Sequence, residues 1–404
     1  MTGRPGGPCR LCCAEIHAIS PSCGQGPAER LEWLVARAQA AHPRGSVLAT
    51  MADLDPWYLD HLRCPIDHSS LSWNGTELIT AAGRTYPVVD GMPVMLRRDK
   101  PQTIGIARAS IDRAMGDQDV IDRRAPDHYL ESLGIGDNEK ARIVEMIESG
   151  TAGVDPVTSM MVAATSGNQY VHIKGDASLA EYPIPDMKLP PGNGRRLLDL
   201  GCNWGRWCVA AARAGYRPVG IDPSLGGAMA ARRVARQLGL DIKFVVGDAR
   251  WLPFAEESFD TVWSYSVLQH FSKDDAKKAL RQAAYVLKPG GTVKIQMANW
   301  LGIRSLYHQA RRRFREPQSF DVRYWSTPEI ADAFTNAIGP SRLSVDCYFG
   351  LGWQWVDMKY MQATHKPILV ASELLRRCSL VLPPMKHVAD SIFCTSTKPA
   401  VSRQ

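Results

Sequence analysis
No run of 18 uninterrupted apolar residues occurs among the 404 positions, so a membrane-spanning helix is not expected. The chain also lacks the charged start, apolar core and small-residue cleavage site of an export signal, and a cytoplasmic location is the expectation. Charge of one sign is not in strong excess. Lys and Arg number 48 against 41 Asp and Glu, and the resulting +7 leans basic without marking a nucleic-acid binder by itself. Ten cysteines are present but scattered, which argues against a disulfide framework. What remains, 45% hydrophobic and 22% charged residues, is ordinary globular composition, and the length allows two or three domains.

A third glycine is missing from the most informative segment. Leu197-Leu198-Asp199-Leu200-Gly201-Cys202-Asn203-Trp204-Gly205 reads as a strand, a turn and the start of a helix, with Asn203 where G-x-G-x-x-G would carry its middle glycine. Asparagine enters positive φ more readily than other non-glycine residues, so the turn remains feasible. Gly201 and Gly205 let the backbone bend sharply and a ligand approach it. A second strand follows and ends at Val219-Gly220-Ile221-Asp222, seventeen positions after Gly205, which suits a compact βαβ unit with a carboxylate placed for a ribose diol. Leu240 to Val246 reads as a third strand ending at Gly247-Asp248-Ala249-Arg250, Ser258 to Tyr265 as a fourth, and Leu287 to Ile295 as a helix end, a turn around Pro289-Gly290-Gly291, and a fifth.

In order and spacing, Arg195 to Met297 resembles the class I S-adenosylmethionine-dependent methyltransferases of the type 11 kind. The resemblance implies an α/β fold, a Rossmann-like seven-stranded sheet with helices on both faces, and S-adenosyl-L-methionine as cofactor. It further implies that Gly201, Cys202, Asn203 and Gly205 contact the methionine portion, with Asp199 organising the turn. Asp222 would take the ribose hydroxyls, Asp248 and the Ala249 amide the adenine, and Ser264 with Tyr265 the methionine end. For each aspartate the alternative is a turn or helix-cap role. The final strands are expected at Ser341 to Phe349 and Ser391 to Ser396. The methyltransferase domain would occupy 191–404, with a helical insertion at about 300–388.

His270 follows the fourth strand and stands where a general base or acceptor-orienting group would face the transferred methyl; packing at a helix entrance is the competing reading. Asn-Pro-Pro-Tyr, used by methyltransferases of amides and exocyclic amines, is absent, and Ser264-Tyr265-Ser266-Val267 stands instead. The arginines Arg311-Arg312-Arg313 read as a solvated face or, with Arg323-Tyr324-Trp325 and Trp353-Gln354-Trp355, as an entrance for an anionic or aromatic acceptor. Ile368 to Leu382 is apolar with Arg376-Arg377 inside, and suits a partner helix or a membrane-surface contact as well as a cover over the sheet.

Trp57 to Arg97 reads as a small β unit with an Asp90-Gly91 turn. Leu62, Cys64-Pro65, Tyr86-Pro87 and Asp90 to Met95 make it similar to the zinc-ribbon-like activator subunits of methyltransferases that modify tRNA and release factors. Cys-Pro-x-Cys and a second cysteine pair are absent, so no metal is expected, and a fused packing or positioning module at 51–98 is. A helical linker or cover at 99–190 includes Tyr170, His172 and Lys174 as candidate contacts. Gly, Pro and Cys dominate Met1 to Pro27, and an initiation codon placed upstream of the true one, near Met51, would explain the change of composition at 1–50. The expected activity is methyl transfer to a small molecule or biosynthetic intermediate. The alternatives are an RNA or translation-factor methyltransferase, suggested by the activator-like segment and the arginines, and a cofactor-binding but inactive partner of another methyltransferase. The acceptor, the methylated atom and the oligomeric state are not readable.

Overall fold
The computed structural model describes residues 54–116, 137–149, 153–165, 181–318, 320–350 and 352–400. The cysteines at positions 9, 12, 13 and 23, the start near Met51, and Tyr170, His172 and Lys174 lie outside the described residues. Asp53–Gln404 forms one compact unit.

Its first elements are helix α1 (Pro56–His61) and strands β1 (Leu71–Trp73), β2 (Glu77–Thr80), β3 (Thr85–Val89) and β4 (Met92–Pro93), paired antiparallel in chain order. Helices α2 (Gly105–Met115), α3 (Asp137–Glu148) and α4 (Pro156–Thr165) follow. The main body then runs β5 (Arg196–Leu200), α5 (Arg206–Arg213), β6 (Arg217–Asp222), α6 (Leu225–Gln237), β7 (Lys243–Val246) and β8 (Phe259–Ser264). It continues through α7 (Lys273–Val286), β9 (Leu287–Ala298), α8 (Ile303–Arg311), α9 (Thr327–Ala337), β10 (Ser341–Cys347), α10 (Lys366–Val381) and β11 (Ser391–Thr397).

The main sheet has the order β10-β11-β9-β8-β5-β6-β7, with β5 to β9 mutually parallel and β11 antiparallel to both its neighbours. The central strands are covered on both faces, so they read as continuous apolar runs such as Leu197-Leu198 and Phe244-Val245-Val246. One face packs on α5 and α6 through Trp207, Val209, Ala228 and Val234; the other packs on α7 and α9 through Ala279, Leu280, Ile330 and Phe334. Hydroxyl caps fix the helix starts. Ser224 accepts from the Gly227 amide, Ser272 from Asp275, and Ser326 forms a capping box with Glu329.

Two excursions leave this frame, at 299–325 and 348–390, separated by α9 and β10. The small sheet joins the other edge. The Met95 amide donates to the Val246 carbonyl at 2.7 Å, Val94 bridges Val246 in parallel, and the Tyr58 hydroxyl donates to Phe244 O at 2.9 Å. Leu62, Cys64, Leu78 and Met95 share one apolar cluster with Val219, Ile221, Val245 and Phe254.

Candidate functional site
The parallel strands β5, β6 and β8 end on one edge, and the turns that follow build a crevice there, the usual ligand position in an open α/β sheet. In the first turn Gly201, Asn203 and Gly205 all have positive φ, +75°, +46° and +82°. This explains the residue types: the backbone is left-handed at alternate positions, where glycine is free of strain and asparagine tolerates it. A Cβ on Gly201 would lie 2.2 Å from Val267, so the turn is also pressed against the loop after β8.

Asp222 ties the crevice together. Its two oxygens accept from the Asn203 amide at 2.8 Å and the Ser224 amide at 2.9 Å, fixing the glycine turn and the start of α6 at once. Asp199 is buried, accepts from Cys208 Sγ at 3.3 Å through Oδ2, and has no partner at Oδ1 among the described residues. Burial, with the Asp222 charge adding to it, pushes its carboxyl up to about 7. The Asp199 carboxyl is sealed beneath the turn, so a cationic cofactor bound there would meet it through space rather than by contact, and an acidic floor of this kind fits the sulfonium and ammonium of S-adenosylmethionine. Cys202 is buried and pushed up to about 11 by that burial, a packing thiol rather than a nucleophile.

Other expected residues are engaged elsewhere. Both oxygens of Asp248 are gripped by Arg250, with Nε at 3.2 and 3.0 Å and Nη2 at 2.7 Å, and Oδ1 also accepts the Arg250 amide at 2.8 Å. Arg250 in turn donates to Pro101 O at 2.7 Å and lies over Trp251, which Arg97 also faces. The adenine carboxylate proposed from the sequence is therefore held from the side of the small sheet. Ala249 is buried beside it. Ser264 is fully buried and donates to Leu200 O at 2.8 Å, pinning β8 to β5.

Tyr265 donates to Asp346 Oδ2 at 2.9 Å, which opens a network that the sequence did not reveal. Asp346 also takes Ser391 Oγ at 2.9 Å and Lys188 Nζ at 3.0 Å, and Gln296 links Ser391 at 2.7 Å to the Ser266 amide at 2.8 Å. Burial and the neighbouring Lys188 push Lys294, on the same face, down to about 8. No local signal marks Asp346, since only the β10–β11–β9 pairing brings it level with the end of β8. The charged pair Arg206–Asp357, 2.6 Å, with Asp357 fully buried, anchors the second excursion to the first residue of α5.

His270 sits in a single 3-10 turn, Leu268–His270, right after the Val267 that touches Gly201. Its ring stacks on Phe320 with centroids 3.8 Å apart, and Nδ1 lies 2.8 Å from Phe320 O. A carbonyl only accepts, so Nδ1 carries the proton and Nε2 keeps its lone pair, lightly approached by the Gln269 amide at 3.4 Å. Burial pushes the imidazole down to about 4, and the nearby Arg323 adds to this. Among the described residues no group of His, Cys, Asp and Glu is arranged to hold a metal ion; Cys64 instead meets the Tyr86 hydroxyl at 3.1 Å.

Residues 197–291 match the family model described as a methyltransferase domain, so this segment carries a methyltransferase domain, and the cofactor the match implies is S-adenosylmethionine. Similar curated proteins include the ubiquinone biosynthesis O-methyltransferase of Brucella anthropi, 35% identical over 109 residues, which are 27% of this chain and 43% of that protein. The methyltransferase GfsG of Streptomyces halstedii is 33% identical over 111 residues, 27% of this chain and 39% of that protein. The chain thus spans less than half the length of these relatives. Among solved structures, the complex between the Haloferax volcanii Trm112 methyltransferase activator and a methyltransferase covers 54% of this chain and 87% of that one at 21% identity, with a TM-score of 0.37, too low to carry an argument.

Proposed function
We propose that the whole chain transfers the methyl group of S-adenosylmethionine to a hydroxyl of a small organic acceptor, with His270 as general base. The observation that carries this reading is the fixed tautomer of His270, a neutral imidazole with its basic nitrogen unprotonated, one turn from the residue packed on Gly201. The cofactor supplies an electrophilic methyl on a sulfonium. The protein's task is then to hold donor and acceptor in line, exclude water and remove one proton. His270 Nε2 takes the acceptor's hydroxyl proton as its oxygen gains the methyl, and Phe320 O stabilises the resulting imidazolium through Nδ1. Asp222 and the backbone of Gly201 to Asn203 would hold the cofactor's ribose and methionine portions. Oxygen is favoured as the acceptor atom because curated relatives such as that of Brucella anthropi are named O-methyltransferases and because a neutral base suits a hydroxyl.

The test is radiolabelled methyl transfer to a panel of phenolic and aliphatic hydroxy compounds. His270→Gln is expected to lower kcat by roughly 10² to 10⁴ while leaving cofactor affinity within a few fold. Full activity in that variant would remove His270 from the mechanism, and failure of the unaltered chain to bind the cofactor calorimetrically would overturn the function itself.

A further inference from the structure
Helix α8 is inside out. Its buried side chains are the polar Ser305 and Gln309, while Ile303, Leu306, Tyr307 and Ala310, spaced i, i+3, i+4 and i+7, form an apolar stripe that faces away from the protein. The orientation is enforced from below. The Ser305 amide donates to Asp390 at 2.8 Å, Gln309 donates to Trp300 O at 2.9 Å, and Gly302 packs so closely on Asp390 that a Cβ would lie 2.4 Å from it. Trp300 and Leu301, which lead into the helix, are exposed as well.

The second excursion carries a similar pattern. Asn299 donates to His387 O and Ala389 O at 2.9 and 2.7 Å, which sets the start of α8 against exposed Val388. On α10, exposed Val370, Leu374 and Val381 share an outward stripe, and Leu380 and Leu382 are bare at its end. Basic residues surround both. Residues 299–325 hold six arginines against two acids, and 363–388 four lysines and arginines against one glutamate. Across the whole of the two excursions, 299–325 and 348–390, basic residues number eleven against five acidic ones, so most of the chain's formal +7 lies here.

We infer that this face docks on an anionic lipid surface, with α8 lying in the interface plane. An outward apolar stripe bordered by arginines is what an interfacial helix needs, since the aliphatic chains enter the acyl boundary while guanidinium groups meet phosphate. Nucleic acid would match the arginines but leave Ile303, Leu306, Leu374, Leu380 and Val381 without a role. The surface adjoins the candidate site, because Arg323, at the end of the same excursion, donates to His270 O at 2.8 Å.

The experiment is co-sedimentation of the full chain with vesicles, either pure phosphatidylcholine or the same lipid with about one third phosphatidylglycerol. Retention is expected on the anionic vesicles only, and released by about 0.5 M salt. The combined variant Ile303→Ser, Leu306→Ser, Tyr307→Ser is expected to weaken retention by roughly tenfold or more. These side chains are exposed, so an unchanged thermal midpoint and unchanged cofactor binding certify its fold. Arg311→Glu with Arg313→Glu is expected to abolish the preference for anionic lipid. No retention of the unaltered chain, or equal retention of the triple variant, overturns the inference. So does retention on tRNA but not on vesicles, or a concentration-dependent dimer abolished by the triple substitution without vesicle binding. Methyl transfer to a dispersed acceptor is measured in parallel, so that failure of lipid docking is distinguishable from failure of the catalytic reading.

Discussion

A single buried carboxyl makes the crevice sensitive to pH. Asp199 has its ordinary value of 3.8 pushed up to about 7, chiefly by burial, so between those values the folded chain holds a proton that the unfolded chain has lost. Stability of the cofactor-free protein is therefore expected to fall as pH rises from about 4 to about 7, and a cationic ligand that favours the ionised form to bind more tightly over the upper part of that range. Calorimetric titration in two buffers of different ionisation heat should show proton release on cofactor binding near pH 7, absent in Asp199→Asn. No buffer dependence would contradict it. His270 has the opposite consequence. With the imidazole pushed down to about 4, its basic form persists well below neutrality, and kcat/KM should show no loss from this group between pH 7 and pH 5. A single ionisation near 6.5 in the pH profile would show that the ring is not buried as described.

These residues differ in how far the sequence disclosed them. Gly201, Asn203, Gly205 and Asp222 were legible because a left-handed turn and a strand-end carboxylate dictate residue type locally. Arg250 stands two positions from Asp248, and an Asp-x-Arg pair was open to reading as a clamp. Asp346 was not legible, because its partners Tyr265, Ser391 and Lys188 are distant in the chain and meet only through strand register.

Among elements, the second excursion depends on one ion pair. Asp357 is fully buried against Arg206, and also accepts the Gln354 amide at 2.8 Å. Removing one partner leaves a buried charge uncompensated, so Asp357→Leu is expected to cost about 3 to 5 kcal/mol, while Arg206→Met with Asp357→Leu recovers a large part of that loss. Urea denaturation of the four proteins of this cycle measures it, and additive effects would mean that the pair does not act as a unit. Helical character in this excursion was readable from composition, as was the apolar run of α10. The inverted face of α8 was not. Periodicity locates an apolar stripe but does not say which way it points, and here Asp390 and the Trp300 carbonyl decide that.

At the scale of the whole molecule, the small sheet and the main sheet are one body. Met95 on Val246, Tyr58 on Phe244 and the ion pair of Lys243 with Asp55 at 2.6 Å occupy the β7 edge, and the shared apolar cluster lies behind them. A chain beginning at residue 181 would expose an unpaired parallel strand and Phe254, and is expected to aggregate. Co-expression with residues 54–116 should restore a soluble complex by pairing again along β7, as read by size-exclusion chromatography. A soluble, monodisperse product from the shorter chain alone would show that the edge needs no cover.

The strand bond between Met95 and Val246 also fixes a stoichiometry. Were the small sheet a separate chain, coverage of β7 would depend on how much of each partner was present and would fail on dilution. Within one polypeptide the encounter is intramolecular, its effective concentration set by the intervening chain rather than by expression level. The edge stays sealed in a protein present at a few copies per cell as it does in a crowded one, and Arg250, held through Pro101 from that same side, keeps its grip on Asp248 at every concentration.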